Sequence, residues 1–176
     1  MKINGRERPP LPEQHDGFSE LLIALENAER VAPTLEEIEA RDSIENALLA
    51  SFLNGSITLT EYHTRDPRGN RLYPGEVEIP GIDLLYRSLL FLTQSEAEAH
   101  ELTAHESDHL REANQLGFPD SKMVIRFFKD GKRTSLRPSI TLILPSSGDE
   151  NQIRRNVRAI IEAPEELSDL DKKQLG

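Results

Sequence analysis

The sequence contains no cysteine and no tryptophan, and only 5% of its residues are aromatic. Without cysteine there can be no disulfide, no thiolate ligand and no thiol nucleophile, so a transition-metal site must use His, Asp and Glu. No apolar run approaches the roughly 20 residues that span a bilayer, which argues against a membrane partner. Residues 1–14 lack the apolar stretch of a secretory signal, so we expect a cytoplasmic protein.

The charge is unevenly distributed along the chain. The net charge is −10, yet residues 122–158 hold nine Lys and Arg against three Asp and Glu. The overall acidity argues against a general nucleic-acid binder. The basic block is most simply explained as a complement, within the fold, to an acidic helix at 93–118. The oligomeric state stays open.

The acidic segment 93–118 has the features of one long helix. Its interior is rich in Glu, Ala and Leu, and Ser95 with Glu98 fits a capping box. Gly117 suits the left-handed residue that ends a helix, and Pro119 prevents continuation. At about 100° per residue, His105, Glu106 and His109 fall on or beside the apolar arc, so they should point towards the body of the protein.

The same helix carries His105-Glu106-Ser107-Asp108-His109, an H-E-x-x-H motif. At this spacing two imidazoles lie one turn apart and can bind one zinc ion, beside a carboxylate that can deprotonate a metal-bound water. The motif resembles that of the zincin metallopeptidases. The resemblance implies His105 and His109 as zinc ligands, Glu106 as the catalytic base, and a peptide or other acyl substrate. The wider pattern AHExxHxxxAxxLGF also resembles short bacterial proteins and assigns no activity.

A third protein ligand is needed, and the sequence leaves several alternatives. His63 is the preferred one, because it lies on a segment, 56–64, that alternates like a strand and could pack on the long helix. Glu112 shares the arc of the histidines but lies about 10 Å along the axis from His105. Four later carboxylates cannot be separated: Glu150, Glu162, Glu165 and Glu166.

The chain as a whole predicts a single α+β domain at 18–163, with a flexible arm at 1–17 and a charged, frayed tail at 164–176. Apolar spacing and turn residues predict the elements that follow. Helices are expected at 18–31 and 34–53, packed as a hairpin, and at 82–92, 93–118 and 149–163. Strands are expected at 56–64 and 72–79, which could form a hairpin through a turn at 66–70. Further strands are expected at 123–129 and around 140–144, with a hairpin turn at Asp130-Gly131.

A second class of function is compatible with the same residues. The histidines could be purely structural, with Glu106 paired to Arg126 or Arg137. The protein would then be a non-enzymatic interaction protein that binds an acidic partner through its basic hairpin and last helix. In that case, charge reversal at Arg154, Arg155 and Arg158 would disrupt binding, whereas Glu106→Gln would have little effect.

Overall fold

The computed structural model describes residues 17–66, 68 and 71–176, together with the backbone of 2–3 and 6–7. Within these residues the chain is a single α+β domain, as the sequence predicts. The helices are α1 (Phe18–Arg30), α2 (Leu35–Leu53), α3 (Leu59–Arg65), α4 (Ile82–Thr93), α5 (Glu96–Gln115), α6 (Glu150–Ile161) and α7 (Asp169–Leu175). The strands are β1 (Lys2–Ile3), β2 (Arg6–Glu7), β3 (Glu76–Ile79), β4 (Lys122–Asp130) and β5 (Arg133–Thr141).

The main sheet is antiparallel, with strand order β3-β4-β5. Val77 of β3 lies opposite Ile125 of β4, and Phe127 of β4 lies opposite Leu136 of β5. The β4–β5 hairpin is confirmed, with Gly131 in a left-handed conformation at φ 60°. Pro138 lies on β5, an edge strand, where its missing N–H costs no central ladder bond.

Two apolar clusters form the core, and α5 contributes to both. The first cluster joins α1, α4 and the main sheet, and it includes Ala99 near the start of α5. The second joins α3, α6 and the end of α2, and it includes Ala113 near the end of α5. His105, Glu106 and His109 lie on α5 between these two anchors. The helix is therefore fixed at both ends of the segment that carries the motif.

The boundaries of α5 follow local chemistry. The Ser95 hydroxyl accepts a hydrogen bond from the backbone N–H of Glu98, and this begins the helix. At the other end, Gly117 has a φ of 85°, and the N–H of Phe118 donates to the carbonyl of Ala113 over 2.8 Å. The predicted long helix is thus confirmed, with α4 ending just before it.

Segment 56–64 is a helix rather than the expected strand. The Thr58 hydroxyl accepts from the N–H of Glu61, while the Glu61 carboxylate accepts from the N–H of Thr58. This reciprocal capping box begins α3 and outweighs the alternating pattern of apolar residues. The strand predicted at 72–79 is present in part, as β3, and it pairs with β4 instead. Residues 67, 69 and 70 of the expected turn lie outside the described residues.

The two chain ends also differ from expectation. Part of the predicted frayed tail forms α7, which packs against α2 and α6. Within the predicted arm, β1 and β2 pair antiparallel, and residues 1, 4, 5 and 8–16 lie outside the described residues. The two N-terminal helices were expected to pack on each other as a hairpin, but their main contacts are with other elements. Helix α1 packs on β3 and β4, whereas α2 packs on α3, α6, α7 and β4.

Candidate metal centre

Helix α5 brings the two histidine rings of the motif together. The ring centroids of His105 and His109 are 4.8 Å apart, at an interplanar angle of 84°. Their Nε2 atoms lie 3.2 Å from each other. His109 is buried and His105 is partly buried, whereas the side chain of His100 is 66% exposed on another face. The predicted inward orientation of His105 and His109 is therefore observed.

A carboxylate from the C-terminal helix completes the group. Asp171 Oδ2 lies 3.3 Å from His105 Nε2, and Asp171 Oδ1 lies 3.3 Å from His109 Nε2. Ser168 fixes this carboxylate, because its backbone N–H and its hydroxyl donate to Oδ2 over 2.8 Å and 2.7 Å. The same contacts form the capping box that begins α7, so helix formation and ligand placement depend on one pair of residues.

These three side chains could hold a metal ion. Each offers one donor atom, and the three donor atoms lie within 4.8 Å of one another. Ligands about 2.0–2.1 Å from a tetrahedral zinc ion are about 3.3–3.4 Å apart. The 3.2 Å between the two Nε2 atoms is close to this spacing, and each Nε2 lies 3.3 Å from a different oxygen of the Asp171 carboxylate. We refer to His105, His109 and Asp171 as the metal centre.

The second ring nitrogen of His109 is also engaged. Nδ1 lies 2.7 Å from the carbonyl oxygen of Ile160, on α6. A carbonyl can only accept, so Nδ1 carries the proton that it donates, and in the neutral ring Nε2 is left with a lone pair. Such a contact from the non-ligating nitrogen is the usual way in which a metal-binding histidine is oriented.

The electrostatics of the metal centre favour charged forms. Burial opposes ionisation of Asp171, but hydrogen bonds from His105, His109 and Ser168 together hold its pKa well below the usual value. The hydrogen bond to Asp171 raises the pKa of His105. Burial lowers the pKa of His109, yet Asp171 and the Ile160 carbonyl outweigh it and the net shift is upward. The carboxylate thus attracts positive charge into the group.

Glu106, the predicted base, is buried next to the histidines. Glu106 is 7% exposed and lies between His105 and His109 in the sequence. Burial raises the pKa of its carboxyl above the usual range, and the neighbouring His109 and His105 act in the opposite direction. Arg126 and Arg137 are the arginines expected to pair with Glu106 if the histidines are purely structural. Both form ion pairs with Asp42.

A cavity of about 1030 Å³ opens on the metal centre. The residues that line it include all three members of the metal centre, Glu106, Arg126 and Arg137. A ligand of appreciable size could therefore reach the histidines and the carboxylates. A closed structural metal site would lack such access.

The expected third ligand, His63, is not part of the group. Because 56–64 is helical, the ring projects from α3, where Nε2 lies 2.9 Å from the carbonyl oxygen of Pro145. Glu150 is also engaged elsewhere, since it accepts from the N–H of Leu59 and pairs with Arg154. The remaining carboxylates that the sequence offered as a third ligand also lie outside the metal centre formed by the described residues. They are Glu112, Glu162, Glu165 and Glu166.

The ligand that sequence reasoning missed, Asp171, had a local signature. Ser168 followed three residues later by Asp171 has the spacing of a capping box. Leu170 within this spacing and Leu175 after it are both only partly exposed. The charge of the segment 164–176 suggested fraying instead. The signature predicts a helix start, but only the fold shows that this helix lies against α5.

Comparison with known proteins adds no relative: no family model, no curated protein and no solved structure matches the chain. None of the described helices is both long enough and apolar enough to cross a membrane.

Proposed function

We propose that the protein binds one zinc ion at His105, His109 and Asp171 and uses it to hydrolyse an acyl bond. The observation that carries the proposal is the convergence of two imidazole nitrogens and one carboxylate. His109 donates its Nδ1–H to the carbonyl oxygen of Ile160, so in the neutral ring the Nε2 lone pair faces His105 Nε2 at 3.2 Å and the Asp171 carboxylate at 3.3 Å. Such a group needs positive charge at its centre, and a divalent cation supplies it to all three donors at once.

Zinc suits this donor set. Two imidazoles and one carboxylate are ligands that zinc accepts, and three protein ligands leave a fourth position for water. The zinc would lower the pKa of that water towards about 7 and polarise the acyl oxygen of a substrate. The cavity next to the metal centre supports a catalytic rather than a closed structural site.

Glu106 is the proposed general base. It lies buried beside the metal centre and lines the same cavity. Its raised pKa brings it nearer to neutral pH, where a base is most effective. It would take a proton from the attacking water and pass it to the leaving group. These roles agree with those that the resemblance to zincins implies.

The competing class, a binding protein with a basic surface, has weaker support. Arg126 and Arg137 are engaged with Asp42, and Arg154 donates to the carbonyl oxygens of Phe52 and Ile57. These arginines stabilise the fold rather than forming a free basic face. Charge reversal at Arg154 would therefore unfold the region between α2 and α6 whether or not a partner exists.

The proposal is tested by zinc content and hydrolysis together. We expect about one zinc per chain by elemental analysis of the purified protein, and loss of that zinc in the double variant His105→Ala/His109→Ala. The matched control is His100→Ala, on an exposed face of the same helix, which should keep its zinc. A wild-type protein that binds no zinc would contradict the proposal.

Glu106→Gln separates catalysis from metal binding. We expect this variant to keep its fold and its zinc and to lose about 10²- to 10⁴-fold in kcat on a panel of peptide and ester substrates. Glu98→Gln, exposed near the start of α5 and outside the cavity lining, should keep full activity. Equal rates for wild type and Glu106→Gln would assign the protein a non-catalytic metal site.

A further inference from the structure

The cavity that opens on the metal centre is also lined by part of a buried group of charged side chains, which we call the arginine cluster. Its members are Arg41, Arg68, Arg126 and Arg137, with Asp42, Glu45 and Glu76. Glu76 has no exposed side-chain surface, and it contacts Arg126, Arg41 and Arg68 over 2.9, 3.1 and 3.1 Å. Asp42 contacts Arg126 over 3.2 Å and pairs closely with Arg137.

The arginine cluster holds one more cation than anions, since four guanidinium groups face three carboxylates. Arg126 is only 3% exposed, and its pKa is lowered to about 10, mainly by burial and also by repulsion from Arg68. A divalent ion at the metal centre would be balanced by Asp171 and ionised Glu106. Within the described part of the chain, the surplus charge of the arginine cluster then stays uncompensated, which is costly in a buried site.

Other carboxylates around the cavity do not remove this surplus. Glu101, Glu165 and Glu166 lie on its rim and are exposed, so water and salt screen them. Asp66 is partly buried, and its carboxylate accepts a hydrogen bond from the backbone N–H of Arg68. A ligand with an anionic group would therefore meet buried positive charge where Arg68, Arg126 and Arg137 line the cavity.

Arg137 is the member of the cluster that a ligand can reach. Its side chain is 32% exposed and lines the cavity, on the edge strand directly opposite Arg126. One guanidinium nitrogen, Nη2, donates to Asp42, while Nε is buried and has no hydrogen-bond partner among the described residues. A partly exposed guanidinium group whose donors are not all paired suits the paired oxygens of a carboxylate or a phosphate.

We propose that the arginine cluster, with Arg137 as its accessible donor, binds an oxyanion group of the substrate whose acyl bond lies at the metal centre. This inference rests on the proposed function. It narrows the substrate to an acyl compound that carries a carboxylate or a phosphate, and it predicts poor turnover of neutral analogues. The metal ion and the arginine cluster would then orient the substrate together within one cavity, the ion by coordination and the arginines by attracting its negative charge.

Anion binding tests the inference without any knowledge of the substrate. Acetate and inorganic phosphate are titrated into the full chain and compared with chloride at equal ionic strength, with thermal unfolding as the readout. We expect at least one oxyanion to raise Tm in the zinc-loaded protein and in protein stripped of metal by a chelator. Whichever of the two binds more tightly identifies the group.

The variants assign the effect to Arg137. Arg137→Met should weaken oxyanion binding by roughly tenfold or more, because a charge-assisted hydrogen bond is lost. Arg133→Met, an exposed position on the same strand, should bind like wild type. Arg137→Lys keeps the positive charge and can keep the ion pair with Asp42, so this variant should fold. Its loss of oxyanion affinity should lie between those of wild type and Arg137→Met.

Two results would overturn the inference: no oxyanion effect beyond that of chloride in wild type, or equal binding by wild type and both Arg137 variants. The test also separates the two proposals. If the protein binds no zinc, the metal proposal fails, while the titration of the stripped protein still reports on Arg137. If zinc binds but oxyanions do not, only the present inference fails.

Discussion

Asp171 serves two purposes with one carboxylate. Oδ2 accepts from the N–H and the hydroxyl of Ser168, and this begins α7. Oδ1 faces His109 and Oδ2 also faces His105, each at 3.3 Å. Because local helix formation fixes the carboxylate, little entropy remains to be lost when a metal binds. Asp171 is therefore preorganised as a candidate metal ligand.

Asp171→Asn should lower zinc affinity while leaving the fold largely intact. The amide keeps the size of the side chain and one acceptor for Ser168, but it removes the negative charge. We expect a loss greater than the roughly 10- to 100-fold caused by removing an outer partner of a metal ligand. Isothermal titration with zinc measures it. Asp169→Asn, exposed on the same helix, is the control, and equal affinities for the two variants would exclude Asp171 as a ligand.

The pKa shifts at the metal centre also predict how the metal-free protein responds to pH. The pKa values of His105 and His109 are raised, so their contribution to stability is complete below about 6.5 and disappears as the pH rises through the folded-state values. The pKa of Asp171 is lowered, so its contribution is lost only in acid. We expect the stripped protein to be less stable towards urea at pH 9 than at pH 6.

Other groups also titrate in that range, so the comparison is made with His105→Ala/His109→Ala. The difference in unfolding free energy between wild type and this variant should shrink from pH 6 to pH 9 without metal. With saturating zinc it should not shrink, because deprotonated imidazoles bind the ion better. A difference that grows with pH in the stripped protein would contradict the assigned shifts.

At the scale of single elements, the sequence predicted those whose signals agree. Helix α5 had capping, composition and a glycine stop in agreement, and the β4–β5 hairpin had alternation and a turn. Segment 56–64 had conflicting signals, and the capping box of Thr58 and Glu61 prevailed over alternation. Segment 164–176 had charge without an obvious apolar stripe. Helix α7 packs against α2 and α6, and the local sequence of 164–176 does not predict these contacts.

Helix α6 supports the metal centre through its backbone, so its N-cap should matter to stability. The Asp149 carboxylate accepts from the N–H groups of Asn151 and Gln152. Asp149→Ala should lower the free energy of unfolding by about 1 kcal/mol in urea denaturation. Ser147→Ala, in the exposed preceding loop, should change it by less than about 0.5 kcal/mol. A neutral Asp149→Ala would show that packing alone holds α6 in place.

At the scale of the whole molecule, the site depends on contacts between segments far apart in the chain. The histidines come from α5, their carboxylate from α7, and the arginine cluster from α2, β3, β4 and β5. The motif identified two of the three members of the metal centre. It could not identify Asp171, because the distance between α5 and α7 is set by the packing of α7 on α2 and α6. His63 lies outside the group because segment 56–64 is helical, and its Nε2 lies 2.9 Å from the carbonyl oxygen of Pro145.

The arginine cluster also joins α2 to the main sheet, so it should contribute to global stability. Glu76 is its centre, with three arginine contacts and no exposed side-chain surface. Glu76→Gln would leave buried cations without compensation and should lower the free energy of unfolding by about 3–5 kcal/mol. Glu78→Gln, on the same strand and 44% exposed beside Lys122, should cost less than about 1 kcal/mol. Equal costs in urea denaturation would contradict a structural role for the cluster.

The central claim is that one cation lies among two imidazoles of α5 and a carboxylate of α7. Anomalous diffraction at the zinc absorption edge, from crystals grown with zinc, tests it most directly. The account predicts one peak about 2.0–2.2 Å from the Nε2 atoms of His105 and His109 and from a carboxylate oxygen of Asp171. A peak at His63 or His100 instead, or no peak between the two rings, would contradict it.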